Sequence, residues 1–340
     1  MKERVHWIDL SKGIAIILVV IGHVVSSYHE AGLYQDNHLF NFSHQFAYSF
    51  HMALFMILSG YLASKGKKRG TRSQQALQKL INYGIPYVIF SVIWVSMKLL
   101  MAGHTNSAVS VKDLLFIPVY PISFMWFIYA LIFMQVIQVF VNPKSIVGKG
   151  IHLLVAWGGY CIQPYLAKSL IEIRFSDCVI SDFMKNYIFF LVGVYFAEYA
   201  LEKIKKNRTL ITVISGILLI GGNLVKYGGM ANAVTESRVF TFILAICGGL
   251  FAIELCIDLR ESSVLEYVGK QSLPIYVLQG IAIAASRLLL TKMHLNVAYG
   301  IVSLVVCTIL GCLLPLCAYW ISTKIWKLDG CFYPGRYLKA

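Results

Sequence analysis

The chain has 340 residues, of which 58% are hydrophobic and only 14% charged, with a formal net charge of +14. A soluble globular domain carries about 25% charged residues, so this chain has too few charges to cover a water-facing surface. That excludes a soluble enzyme. Anionic lipid headgroups account for the positive charge without any nucleic acid partner.

The apolar residues fall into blocks close to the roughly 20 residues that span bilayer hydrocarbon. In lipid the backbone must satisfy itself within helices or closed barrels, and these runs are too long for barrel strands. The sequence therefore predicts an all-α polytopic bundle, one integral-membrane domain over 1–340. About ten spans are expected, at 10–28, 45–64, 77–101, 121–141, 151–167, 183–201, 209–227, 238–257, 273–291 and 297–321. The fifth is the weakest, being short and carrying Pro164 near its end. An even number of spans leaves both termini on one side. Most of the 30 Lys and Arg, including Lys12, Lys65–Arg72, Lys203–Arg208 and Arg336, gather on that side, which is then cytosolic. A multi-pass protein of the inner (plasma) membrane is expected. The eight cysteines show no metal-ligand spacing, so no metal is expected.

Polar residues inside spans carry the functional information, because they are expensive there. In the first span Asp9, Lys12, Ile16, Val19, His23 and Ser26 follow helical spacing. Lys12 and His23 are eleven residues apart, about three turns and roughly 16 Å along one face. The second span puts His44, Tyr48, His51, Phe55 and Ser59 on one face. It runs back across the membrane, so His51 and His23 fall at similar depth. A lone membrane histidine reads equally as a helix–helix hydrogen bond; two at one depth, with a Lys at the inner mouth, point to a reaction site. The basic loop Lys65–Arg72 is ordinary topology or a phosphate-binding segment.

These residues carry a family resemblance. Trp7-Ile8-Asp9-Leu10-Ser11-Lys12-Gly13, continuing to Gly22-His23, resembles the opening of the acyltransferase family 3 membrane proteins, and Phe50-His51-Met52-Ala53-Leu54-Phe55 resembles the family's second-helix motif. Weaker likenesses occur at Tyr83–Tyr87, Trp126-Phe127, Phe189–Gly193 and Leu265–Tyr276, so the resemblance covers essentially the whole chain. It implies a ten-helix bundle that moves an acyl group, usually acetyl, from cytosolic acyl-coenzyme A to a hydroxyl of a cell-surface glycan or its lipid-linked precursor. Two departures stand out. Gln279 stands where relatives commonly have His, and Gln exchanges no proton near neutral pH. Lys12 stands where many carry Arg, which favours a point charge over a bidentate clamp.

The expected roles follow from O-acylation chemistry. His23 is the expected base or transient acyl carrier. His51 is expected to position the acceptor or polarise the thioester carbonyl. Lys12, Arg69 and Arg72 are expected on the acetyl-CoA donor, with Asp9 holding Lys12. Glu236, beside Arg238, is expected to orient a histidine at the outer end, in preference to Glu254. The rival reading is a secondary transporter or flippase without covalent chemistry, against which stands the lack of an inverted repeat or paired broken helices.

Overall fold

The computed structural model describes residues 6–66, 70–100, 110–196, 207–228, 233–259, 262–294 and 300–337. Among them the regular structure is helical, as the composition requires: α1 His6–Glu30, α2 His38–Lys65, α3 Arg72–Leu100, a short α4 Asp113–Phe116, α5 Trp126–Phe140, α6 Ile146–Ser169, α7 Val179–Tyr195, α8 Arg208–Tyr227, α9 Arg238–Asp258, α10 Ser263–Lys270, α11 Ser272–Lys292, α12 Gly300–Lys324 and a short α13 Asp329–Phe332. A helix stands at each of the ten expected spans, and eight of them are long and apolar enough to cross a membrane. The other two are α6 and α7. This is a multi-pass helical membrane protein.

The chain forms two compact units. The first holds α1, the opening half of α2, and α8 to α12. Its centre is α1, against which α9, α10, α11 and α12 all pack. The sequence reading did not foresee α10, because it is eight residues long and precedes a span. Ser262 caps it by accepting from the Leu265 amide. Its fit against α1 rests on two glycines. A Cβ on Gly269 would run into the Asp9 carbonyl, and one on Gly13 into the carbonyl of Leu265. Small residues let backbones approach this closely in membrane bundles. At the ends of α8 and α9, Arg208 donates from Nε to Glu254 Oε2 at 3.2 Å. Glu254 is fully buried, so this pair holds those two helices together and takes Glu254 away from any histidine.

The second unit holds the rest of α2, α3 to α7, and the C-terminal segment with α13. Helix α5 packs against α3 and α7, and α6 against α7. Here the Tyr87 hydroxyl donates to the Ile117 carbonyl at 2.6 Å, and its ring stacks on Tyr129 at 4.6 Å. Ser145 caps α6 by accepting from the Gly148 amide.

Candidate active site

The closing turns of α1 and the opening turns of α2 gather the polar side chains that a span would otherwise avoid. Gly22 makes room for this. A Cβ there would lie 2.6 Å from the Tyr48 ring. Around that contact, His44 stacks on Tyr48 with ring centroids 4.2 Å apart, and Tyr48 meets His51 edge-on at 5.0 Å. Ser26 Oγ and His44 Nε2 are hydrogen-bonded at 3.2 Å. His23 is half-buried and His51 fully buried. His23, His44 and His51 lie within electrostatic reach of one another. The expected pairing of His23 with His51 therefore widens to a histidine cluster that takes in His44, with the His29 ring 6.3 Å beyond it and Tyr48 between His44 and His51.

The ring of His51 is held in one sense. Its Nδ1 lies 2.5 Å from the Ala47 carbonyl. A carbonyl only accepts, so Nδ1 carries the hydrogen and donates. In the neutral ring Nε2 then keeps its lone pair. Among the described residues, nothing in the protein bonds to Nε2. The helix itself sets this tautomer, because residue 47 is one turn before residue 51.

At the other end of α1, Asp9 is buried and Lys12 half-buried, one turn apart. The α10 backbone packs directly on the Asp9 turn, which fixes where both side chains begin. Glu236 is not part of the cluster. It is exposed in the turn before α9, where Ser237 caps the helix, and no ion pair or hydrogen bond joins it to a histidine among the described residues. Arg72 is exposed at the first turn of α3, and Arg69 lies outside the described residues.

One to three turns further along α3, the second unit contains a polar cavity of about 290 Å³. Lys79 and Lys149 line it, with Gln75, Gln78, Gln135 and Tyr195. The Lys149 ammonium sits over the Tyr195 ring at 5.8 Å. The carbonyl oxygens of Gln135, Gln138 and Asn82 are buried here with no donor among the described residues. A buried amide oxygen in that state costs about 1–3 kcal/mol unless something fills the space. The cavity thus combines two cations with hydrogen-bonding capacity that the protein leaves unused.

The profile of the acyltransferase domain family, acyltransferase 3, matches residues 5–317. The chain belongs to this family. Two curated relatives are both described as nodulation protein NolL. The one from Mesorhizobium japonicum is 36% identical over 89 residues, covering 25% of this chain and 23% of the relative. The one from Sinorhizobium fredii is 35% identical over 98 residues, covering 28% and 26%. The match thus spans about a quarter of the length of these relatives. No solved structure matches the chain. The chain is therefore a multi-pass membrane member of the acyltransferase 3 family.

The positions of this family member's side chains also give places to residues for which the sequence offered no role. Lys79 and Lys149 lay among the topology charges, and only the fold sets them on one cavity. Gln279, singled out by its departure from relatives, is fully buried in α11 with neither amide atom partnered among the described residues. Arg287, four residues from the end of an apolar run, had no sequence signal beyond its charge.

Proposed function

We propose that this acyltransferase is a membrane O-acyltransferase that moves an acyl group, acetyl by preference, from cytosolic acyl-CoA to a hydroxyl of an extracytoplasmic or lipid-linked glycan. The observation that carries this reading is the tautomer of His51 within the histidine cluster of a family member. With Nδ1–H committed to Ala47, Nε2 is the acceptor. A neutral ring so held cannot donate from Nε2 to a thioester carbonyl, so we assign His51 the base. Its Nε2 takes the proton of the acceptor hydroxyl as that oxygen bonds to the thioester carbon. The C–S bond then breaks, and the thiolate leaves with the proton returned by His51. His23 supplies the N–H that meets the developing oxyanion, or carries the acyl group transiently.

For the donor, the two lysines of the 290 Å³ cavity suit phosphate oxygens, and its unpaired amides suit an adenine or pantetheine. Lys12, Arg69 and Arg72 keep the donor-binding role that the sequence gives them, with Asp9 one turn before Lys12. The Lys and Arg distribution supports a cytosolic donor side.

The test uses membranes carrying the protein, labelled acetyl-CoA and mass spectrometry of the cell's glycan. The wild type should release free coenzyme A and label the glycan. His23→Ala should insert normally yet lose at least about 100-fold in transfer, the scale of a lost oxyanion-hole donor. A wild type that never consumes the thioester would sink this reading in favour of a transporter or flippase.

A further inference from the structure

Arg287 is 7% exposed in the outer half of α11. Its Nε donates to Ser27 Oγ at 3.0 Å. Among the described residues no carboxylate forms an ion pair with it, and neither terminal nitrogen has a protein acceptor. The neighbouring polar groups, the Tyr28 hydroxyl and the Cys307 thiol, are bonded to each other at 3.5 Å and bring no negative charge. A guanidinium cannot shed its proton and is costly to bury without a counter-charge. Ser27 takes Nε, while the two terminal nitrogens are not among the fully buried unpartnered atoms, so the other edge of the guanidinium faces accessible space and is open to a ligand.

The position of that edge matters. Ser27 is one helical turn beyond His23 on the same face of α1, about 6 Å along the axis. The guanidinium is therefore anchored next to the face that carries the candidate chemistry. Its two terminal nitrogens form a planar fork that matches the paired oxygens of a carboxylate or phosphate. About two turns deeper in α11, the buried and unpartnered amide of Gln279 adds neutral hydrogen-bonding capacity and no charge.

We infer that Arg287 binds an anionic oxygen pair on the acceptor, so that the acylated glycan is an acidic or phosphate-linked one. The inference rests on the acyl-transfer reading for the word acceptor, while the anion site itself does not. The shared chemistry is an oxyanion with two acceptor atoms. Its source is either a uronate carboxylate in the sugar chain or the phosphate of a lipid-linked precursor.

The test measures binding directly on the purified full-length protein in detergent, using glucuronate, glucose 1-phosphate and glucose as probes. The wild type should bind at least one anionic probe about tenfold more tightly than glucose. Preference for glucuronate assigns the carboxylate source, and preference for glucose 1-phosphate the phosphate. Arg287→Gln should erase the preference. Lys292→Gln, which removes an exposed cation five residues on in the same helix, should leave it intact. Where Arg287→Gln does not fold, Arg287→Lys and Ser27→Ala keep the charge but spoil the fork or its anchor. Each should weaken anion binding at least about threefold. Equal binding of all three probes, a preference that survives Arg287→Gln, or unaltered binding in both conservative variants would overturn the proposal. A protein that binds the anions yet never consumes acetyl-CoA would instead sink the acyl-transfer reading and leave the anion site standing.

Discussion

His152 and His51 both sit in helices beside tyrosines, yet their ring nitrogens are used differently. In α6, His152 bonds Tyr195 through Nδ1 at 2.8 Å and Tyr187 through Nε2 at 2.7 Å. Both nitrogens are engaged, and the ring ties α6 to two turns of α7. In α2, His51 spends one nitrogen on its own helix and keeps the other open. Around it, the tyrosine contributes a ring edge and not a hydroxyl. The lesson is that burial and residue type do not separate a structural histidine from a chemical one. What separates them is how many of the two nitrogens the protein has already used.

That contrast can be tested. Removing the saturated histidine should cost stability first. His152→Ala leaves two tyrosine hydroxyls without their partner, Tyr187 among them buried, and should destabilise the protein by about 1–3 kcal/mol. Thermal unfolding in detergent checks this, and the folded fraction should keep its turnover within a few-fold. A smaller effect is expected at the cavity lined by Tyr195, one of the two partners of His152. Lys79→Ala with Lys149→Ala should raise the donor Michaelis constant about tenfold, near 1.4 kcal/mol, with turnover unchanged. A fall in turnover at constant donor affinity would move the second unit from donor binding to chemistry.

The smallest effect belongs to Glu266 in α10, the helix that packs on the Asp9 turn. Hydrogen bonds from Lys270 and then His6 hold its carboxyl below the usual carboxylate range. A depressed folded pKa contributes stability above the unfolded value of about 4.3 and loses it as pH falls through the lower folded value. The pair lies at the surface, with Lys270 about a third exposed, so solvent screens it and the contribution is slight. The protection of the Val268 and Gly269 amides against hydrogen exchange, taken relative to the intrinsic rate at each pH, should fall a little on acidification in the wild type, and Glu266→Gln should remove that dependence.

Much of the fold was legible because apolar runs are local signals. A helix stands at each of the ten expected spans, and the span read as weakest, with Pro164, is one of the two that fall short of the membrane-crossing criterion. Helix α10 was not legible, since what seats it is the close approach of Gly269 to the Asp9 carbonyl of α1 and of Gly13 in α1 to the Leu265 carbonyl of α10. In the site, the spacing of Lys12, His23 and His51 could be read along the helices, as could the face that carries His44 and Tyr48. Partnership could not. Nothing in the sequence distinguishes the two used nitrogens of His152 from the one open nitrogen of His51. The same holds for Glu254, which takes Arg208, for Glu236, which stays exposed, and for Arg287, whose missing counter-charge exists only once α11 lies against α1.

The central claim is that the open nitrogen of His51 does the proton transfer, and one measurement addresses it most directly. Turnover of acetyl-CoA with acceptor-bearing membranes is compared for wild type and His51→Gln at equal amounts of folded protein, with acetyl-CoA binding measured alongside. Glutamine can retain a hydrogen bond to the Ala47 carbonyl but cannot take a proton near neutral pH. The account predicts turnover at least about 100-fold lower with donor affinity within a few-fold of wild type. Turnover within a few-fold of wild type would contradict it, and would make His51 as structural as His152.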